Sequence, residues 1–223
     1  MKIKYILILG ITLVNIQIPF DYCGAEPAEN HGTTAIIESK INKQNEKYSR
    51  VYDIDTDYAH FLGKQDAKLS LIVFLDYQCP YCTSGYEIYK ALVKEFPEDL
   101  KFVFMHNPLD MHRSAVDLAG AAEAAGEQGK FFEMSDILMH NKGIQYSEEK
   151  MIEYAKKLNL DIDKFKKDLI NVDILTKVFI GQEEAKRHQI TATPTVILNK
   201  KMIRNNNNLD YFKNIIQEEL KNP

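Results

Sequence analysis

The hydrophobic residues of this 223-residue chain change period five times, and that alone narrows what it can fold into. Leu69 to Leu75 is an apolar run, interrupted only by Ser70, with the length of a buried strand. From Ser84 to Phe96 the period becomes helical, with Tyr86, Tyr89, Leu92, Val93 and Phe96 on one face, and Pro97 ends that helix. Lys101 to Met105 returns to β-formers and predicts a second strand, parallel to the first through a right-handed crossover. From Met111 to about Arg187 the spacing is helical throughout. Thr195 to Leu198 and Met202 to Arg204 then predict a hairpin, and Leu209 to Leu220 a closing amphipathic helix. The order is β-α-β, a helical block, then β-β-α: an α/β core interrupted by one all-helical insertion at about 107–188.

Inside the block, Ala115, Leu118, Ala119, Ala122 and Ala125 form a small-residue stripe that reads as core rather than as a cofactor site. Ser147 is expected to cap one helix, Asp161 to begin another, and a last one to run from Ile174 to Arg187. Ahead of the first strand, Tyr52 to Phe61 shows no period and reads as irregular, and Gly63 to Asp66 as a turn.

Charge excludes one class of function. The formal net charge is −4, and the lysines are interspersed with acids rather than gathered in a stripe, so no nucleic-acid partner is expected. The three cysteines (Cys23, Cys79, Cys82) are too few for a disulfide-stapled domain, and no ligand spacing points to a metal. The N-terminus reads as an export signal over residues 1–25. It has basic Lys2 and Lys4, an apolar stretch from Tyr5 to Phe20, and small residues favouring cleavage near Ala25. An uncleaved anchor is the alternative. Residues 26–55 read as a polar leader or an oligomerisation arm, and 56–221 as the folded domain. After cleavage only Cys79 and Cys82 remain, in a periplasmic or otherwise extracytoplasmic compartment where disulfides form.

Those two cysteines lie in Asp76-Tyr77-Gln78-Cys79-Pro80-Tyr81-Cys82, where a strand passes into a helix. A C-x-x-C at such a junction is a redox arrangement. Three stretches together resemble the DsbA-like branch of the thioredoxin superfamily: this one, Gln128 to Met134 in the helical block, and Thr193-Pro194-Thr195 before an apolar strand. The resemblance covers roughly residues 60–221 and implies a thioredoxin fold with an inserted helical subdomain. It implies a cis Pro194 whose loop lies against the active cysteine, with the Thr193 backbone pairing to an extended substrate. A trans Pro194 merely opening an edge strand is the alternative.

The helix start would stabilise a thiolate on Cys79, making it the nucleophile, with Cys82 the resolving thiol and no cofactor beyond the redox-active Cys79–Cys82 disulfide. Pro80 and Tyr81 would tune the pair, Tyr81 either by offering its hydroxyl near the sulfur or by covering substrate surface. Partners implied are exported proteins with cysteines, still unfolded or folding, and a membrane redox partner that re-oxidises the pair. Disulfide isomerase or reductase activity is the alternative in the same chemistry; a non-catalytic periplasmic chaperone or adaptor is the alternative in another class. Two departures from the family pattern stand out. The position six residues before Cys79, often a buried acid, is Val73. Asp76 is nearer, and is either a proton shuttle or a solvated strand end. The last hairpin turns on Asn199 and Lys200 rather than glycine.

Overall fold

The computed structural model describes Ile36, Ser39, Lys40 and residues 45–141 and 143–221. The expected signal segment with Cys23, and the first part of the leader, lie outside the described residues. Everything below belongs to the compact unit Asn42–Pro223.

Among the described residues a five-stranded sheet forms the centre. Its strands are β1 (His60–Leu62), β2 (Leu69–Leu75), β3 (Leu100–His106), β4 (Thr195–Leu198) and β5 (Lys201–Ile203), in the spatial order β1-β3-β2-β4-β5. β2 and β3 run parallel, in register from Leu69 opposite Leu100 to Leu75 opposite His106; the other pairs are antiparallel. Strand β2 is apolar at every position but Ser70 because both of its faces are covered. Leu69, Leu71, Val73 and Leu75 face a large core shared with Phe102, Phe104, Val196 and Leu198. Ile72 and Phe74 face a smaller one with Val103, Met105, Ile197 and Tyr52.

Helices α1 (Pro80–Glu95) and α7 (Leu209–Lys221) pack on the large-core face, through Tyr86, Tyr89 and Leu92 on one and Phe212 and Ile216 on the other. The helical insertion follows β3 as α2 (Ala115–Gly126), α3 (Phe131–His140), α4 (Glu148–Lys157), α5 (Ile162–Leu169) and α6 (Val172–Arg187). Small side chains let α2 sit deep: Leu118, Ala119, Ala121, Ala122, Ala124 and Ala125 are all buried. Ser147 and Asp161 cap α4 and α5 as expected, accepting from the Lys150 and Lys164 amides. Asn171 caps α6, so that helix begins at Val172 rather than Ile174.

One element departs from the sequence reading. Residues 52–61 are not wholly irregular: His60–Leu62 forms β1 on the free edge of β3. A three-residue, half-buried edge strand has too few side chains to show a period, and its pairing is supplied by β3. Tyr52, in the segment read as leader, is buried on the second face, where its amide donates to the Lys200 carbonyl (2.8 Å). The hairpin turn closes without glycine, with Asn199 and Lys200 both at positive φ (44° and 68°). Asn199 suits this because its side-chain oxygen accepts from the Ser70 amide (3.0 Å), tying the turn to β2. Among the described residues no helix is long and apolar enough to cross a membrane.

Gly181 sets how closely α6 approaches the sheet: a Cβ there would lie 2.4 Å from the His106 carbonyl oxygen. Gly181→Ala is therefore expected to destabilise the protein by about 1–3 kcal/mol through overpacking. That exceeds the ~1 kcal/mol alanine otherwise adds in a helix. Thermal unfolding followed by circular dichroism measures it, and an unchanged midpoint would mean that the helix simply shifts.

Candidate active site

The end of β2 and the start of α1 place the two thiols. Cys79 is the N-cap residue of α1, in extended conformation (φ −76°, ψ 117°), and Pro80 occupies the first turn, where its missing N–H costs nothing. The Cys79 amide returns to the Asp76 carbonyl (3.1 Å) and the Cys82 amide to the Cys79 carbonyl (3.0 Å). This tight turn brings both sulfurs to the helix N-terminus. Both thiols are buried, Cys82 completely and Cys79 all but 5%.

Their chemistry separates them. The Cys82 thiol donates to the Cys79 sulfur; with the Thr193 side chain and the Cys82 and Tyr81 amides, this outweighs the cost of burial and brings Cys79 down to about 5. Burial pushes Cys82 far above the ordinary thiol range, and its bond to Cys79 and that neighbour's charge add to the effect. Alkylation of the reduced protein should thus follow a single titration with its midpoint near pH 5. Peptide mapping after limited iodoacetamide treatment should find the label on Cys79. A midpoint near the free-thiol value of about 8.5 would refute this assignment.

The β4 approach supplies the opposite wall. The Thr193–Pro194 peptide is cis. As a thiol, Cys79 donates to the Thr193 carbonyl at 3.3 Å, and the buried Thr193 hydroxyl has no hydrogen-bond partner among the described residues. Cys79, Cys82, Thr193 and Pro194, about 114 residues apart in sequence, thus form one cluster. Tyr81 does not join it by its hydroxyl: its ring stands 67% exposed on the rim, the placement of a surface contact. Val73 is fully buried and apolar.

Asp76 corrects the expectation of a solvated strand end. Its side chain is shut off from solvent, and its oxygens accept from the Gln78 amide (2.7 Å), the Leu109 amide (2.8 Å) and His112 Nδ1 (2.7 Å). The loop after β3 therefore grips the residue that opens the active-site turn. Gln78 is gripped likewise, accepting from the Ser114 amide and donating to the Ile144 carbonyl. Sequence reading missed His112 because its partner lies 36 residues away and nothing in its local spacing marks it.

A buried dithiol with one acidified sulfur, at a helix start and facing a cis-proline loop, thus sits on a thioredoxin fold with a helical insertion. Comparison with known proteins agrees. Residues 55–218 match the family model described as thioredoxin, and the chain belongs to that family. The Na(+)/H(+) antiporter NhaA 1 of Salinispora arenicola is 32% identical over 147 residues, 66% of this chain but 22% of that protein. The chain thus matches about a fifth of that relative's length. Among solved structures, BdbD from Bacillus subtilis superposes with a TM-score of 0.69 at 24% identity, covering 77% of this chain and 98% of that one. The thiol-disulfide exchange protein alpha-DsbA2 from Wolbachia pipientis gives 0.66 at 19% identity, covering 86% and 100%. At these identities the likeness is one of fold.

Proposed function

We propose that the protein is an exported thiol–disulfide oxidoreductase that forms disulfides in substrate proteins. The observation that carries this reading is the asymmetry of the pair, with Cys79 held near 5 beside a Cys82 that resists ionisation. In the oxidised protein, a substrate thiolate attacks Cys79 Sγ and Cys82 leaves as the thiolate, taking up a proton. A second substrate thiolate then attacks the substrate sulfur of the mixed disulfide and expels Cys79. Two electrons pass from substrate to protein, and a low leaving-group pKa speeds the last step. Stabilising the Cys79 thiolate stabilises the reduced form, which makes the disulfide form oxidising.

The Thr193–Pro194 loop beside Cys79 offers main chain to an extended substrate, a mode that suits varied unfolded clients. Residues 1–25 support export, and a membrane partner would restore the disulfide. Relatives that carry a matching region within a Na(+)/H(+) antiporter lend support to work beside a membrane. Equilibration with glutathione buffers tests the direction: a midpoint well above about −200 mV is expected, and one near −270 mV, thioredoxin's value, would instead make the protein a reductase.

A further inference from the structure

Asp76 is joined to both thiols through its main chain. Its carbonyl accepts from the Cys79 amide (3.1 Å), and its amide donates to the Cys82 sulfur. Its carboxylate is buried in the turn that carries both thiols, three residues before Cys79, where a negative charge must develop when Cys79 ionises. Such a neighbour opposes ionisation unless it is itself neutralised. Its other two donors, the Leu109 and Gln78 amides, carry no net charge. The His112 ring, held by the loop after β3, meets it through Nδ1 at 2.7 Å, and an ionised carboxylate only accepts, so this nitrogen carries a proton. The other buried acid facing the sheet end, Glu123, is matched separately by His60 and His106.

We propose that His112 is a positioning residue for the exchange reaction: as an imidazolium it cancels the Asp76 charge and thereby keeps the Cys79 thiolate stable and the disulfide oxidising. The inference rests on the exchange reading of the Cys79–Cys82 pair. It gives the first loop of the helical insertion an electrostatic part in setting the thiol chemistry, beyond shaping the surface.

Charge and shape are separated by isosteric variants. His112→Asn keeps a donor toward Asp76 and loses the positive charge; Asp76→Asn keeps the shape and loses the negative one. His112→Asn is expected to raise the Cys79 alkylation midpoint by about one pH unit. It should also make the disulfide about tenfold less oxidising against glutathione, ~30 mV for a two-electron couple. Asp76→Asn is expected to leave the midpoint where it is or lower it, and the double variant to return within about twofold of the unmodified protein. A purely structural contact predicts something else: no shift in His112→Asn, or shifts of the same sign in both single variants. Either outcome overturns the proposal. If the unmodified protein fails to equilibrate with glutathione, the exchange reading is what falls; the alkylation midpoints still decide whether His112 offsets Asp76.

Discussion

Glu123→Ala is expected to lower the unfolding free energy by about 3–5 kcal/mol, the range for removing one partner from a buried ionic cluster. Glu123 lies on α2 with 2% of its surface exposed. Its two oxygens accept from His106 Nε2 at the end of β3 and His60 Nε2 on β1, each at 3.0 Å, and Lys177 on α6 approaches to 3.7 Å. The carboxylate thus joins the insertion to the sheet. Truncation would leave two largely buried imidazoles without their acceptor and a cavity among alanines that have nothing to fill it. Burial alone would raise the Glu123 carboxyl, but the bonds to His106 and His60 outweigh it and hold the group at about 2. Its folded value lies below the unfolded 4.5. Its contribution is therefore complete above about pH 4.5 and is lost as pH falls through about 2. Urea unfolding measures both effects; circular dichroism is the suitable signal, since the chain has no tryptophan. A loss under 1 kcal/mol would mean that the cluster merely breaks even against its desolvation.

Cys82→Ala is expected to stop turnover and to accumulate a stable mixed disulfide on Cys79. Cys82 is fully buried and no other cysteine lies among the described residues, so nothing remains to attack the Cys79–substrate bond from within. A second effect sets this variant apart from a simple loss of the resolving thiol. The Cys82 thiol is the foremost group holding Cys79 near 5, ahead of Thr193 and the helix-start amides. Removing it should raise the Cys79 alkylation midpoint even while the trapped adduct forms. Intact-mass analysis after incubation with oxidised glutathione detects the adduct. Finding only unmodified protein would argue that Cys79 is not the attacking sulfur.

The order of elements was legible because the hydrophobic period switches where the chain passes from sheet to insertion and back. Strand β2 and helix α1 declare themselves through six apolar residues in a stretch of seven and a set of aromatics. Strand β1 does not, because it has only three residues, none of them fully buried, and its existence depends on an edge offered by β3. In the site, Cys79, Cys82 and Pro194 were legible because each sits in a local motif in the right order. Asp76 with His112, and Glu123 with His60 and His106, were hidden because a charge buried against a distant partner looks in sequence like any surface charge. Glu123 did carry one signal: it is the lone acid in the middle of an alanine-rich helix that is buried on nearly every side.

Among the described residues the sheet ends on both sides in strands of only three residues, β1 and β5. A protein that handles unfolded chains is exposed to an ordinary danger, since any extended client can add itself to an open edge and recruit further copies. Three residues offer too short a template to retain such a visitor. Under the proposed function the backbone offered to a client is instead the loop at Thr193 and Pro194, where contact would place it beside Cys79. Under the proposed function the short borders would thus act as a filter on binding: chains that cannot react would find little to hold them, and those that can would be held where the reaction releases them.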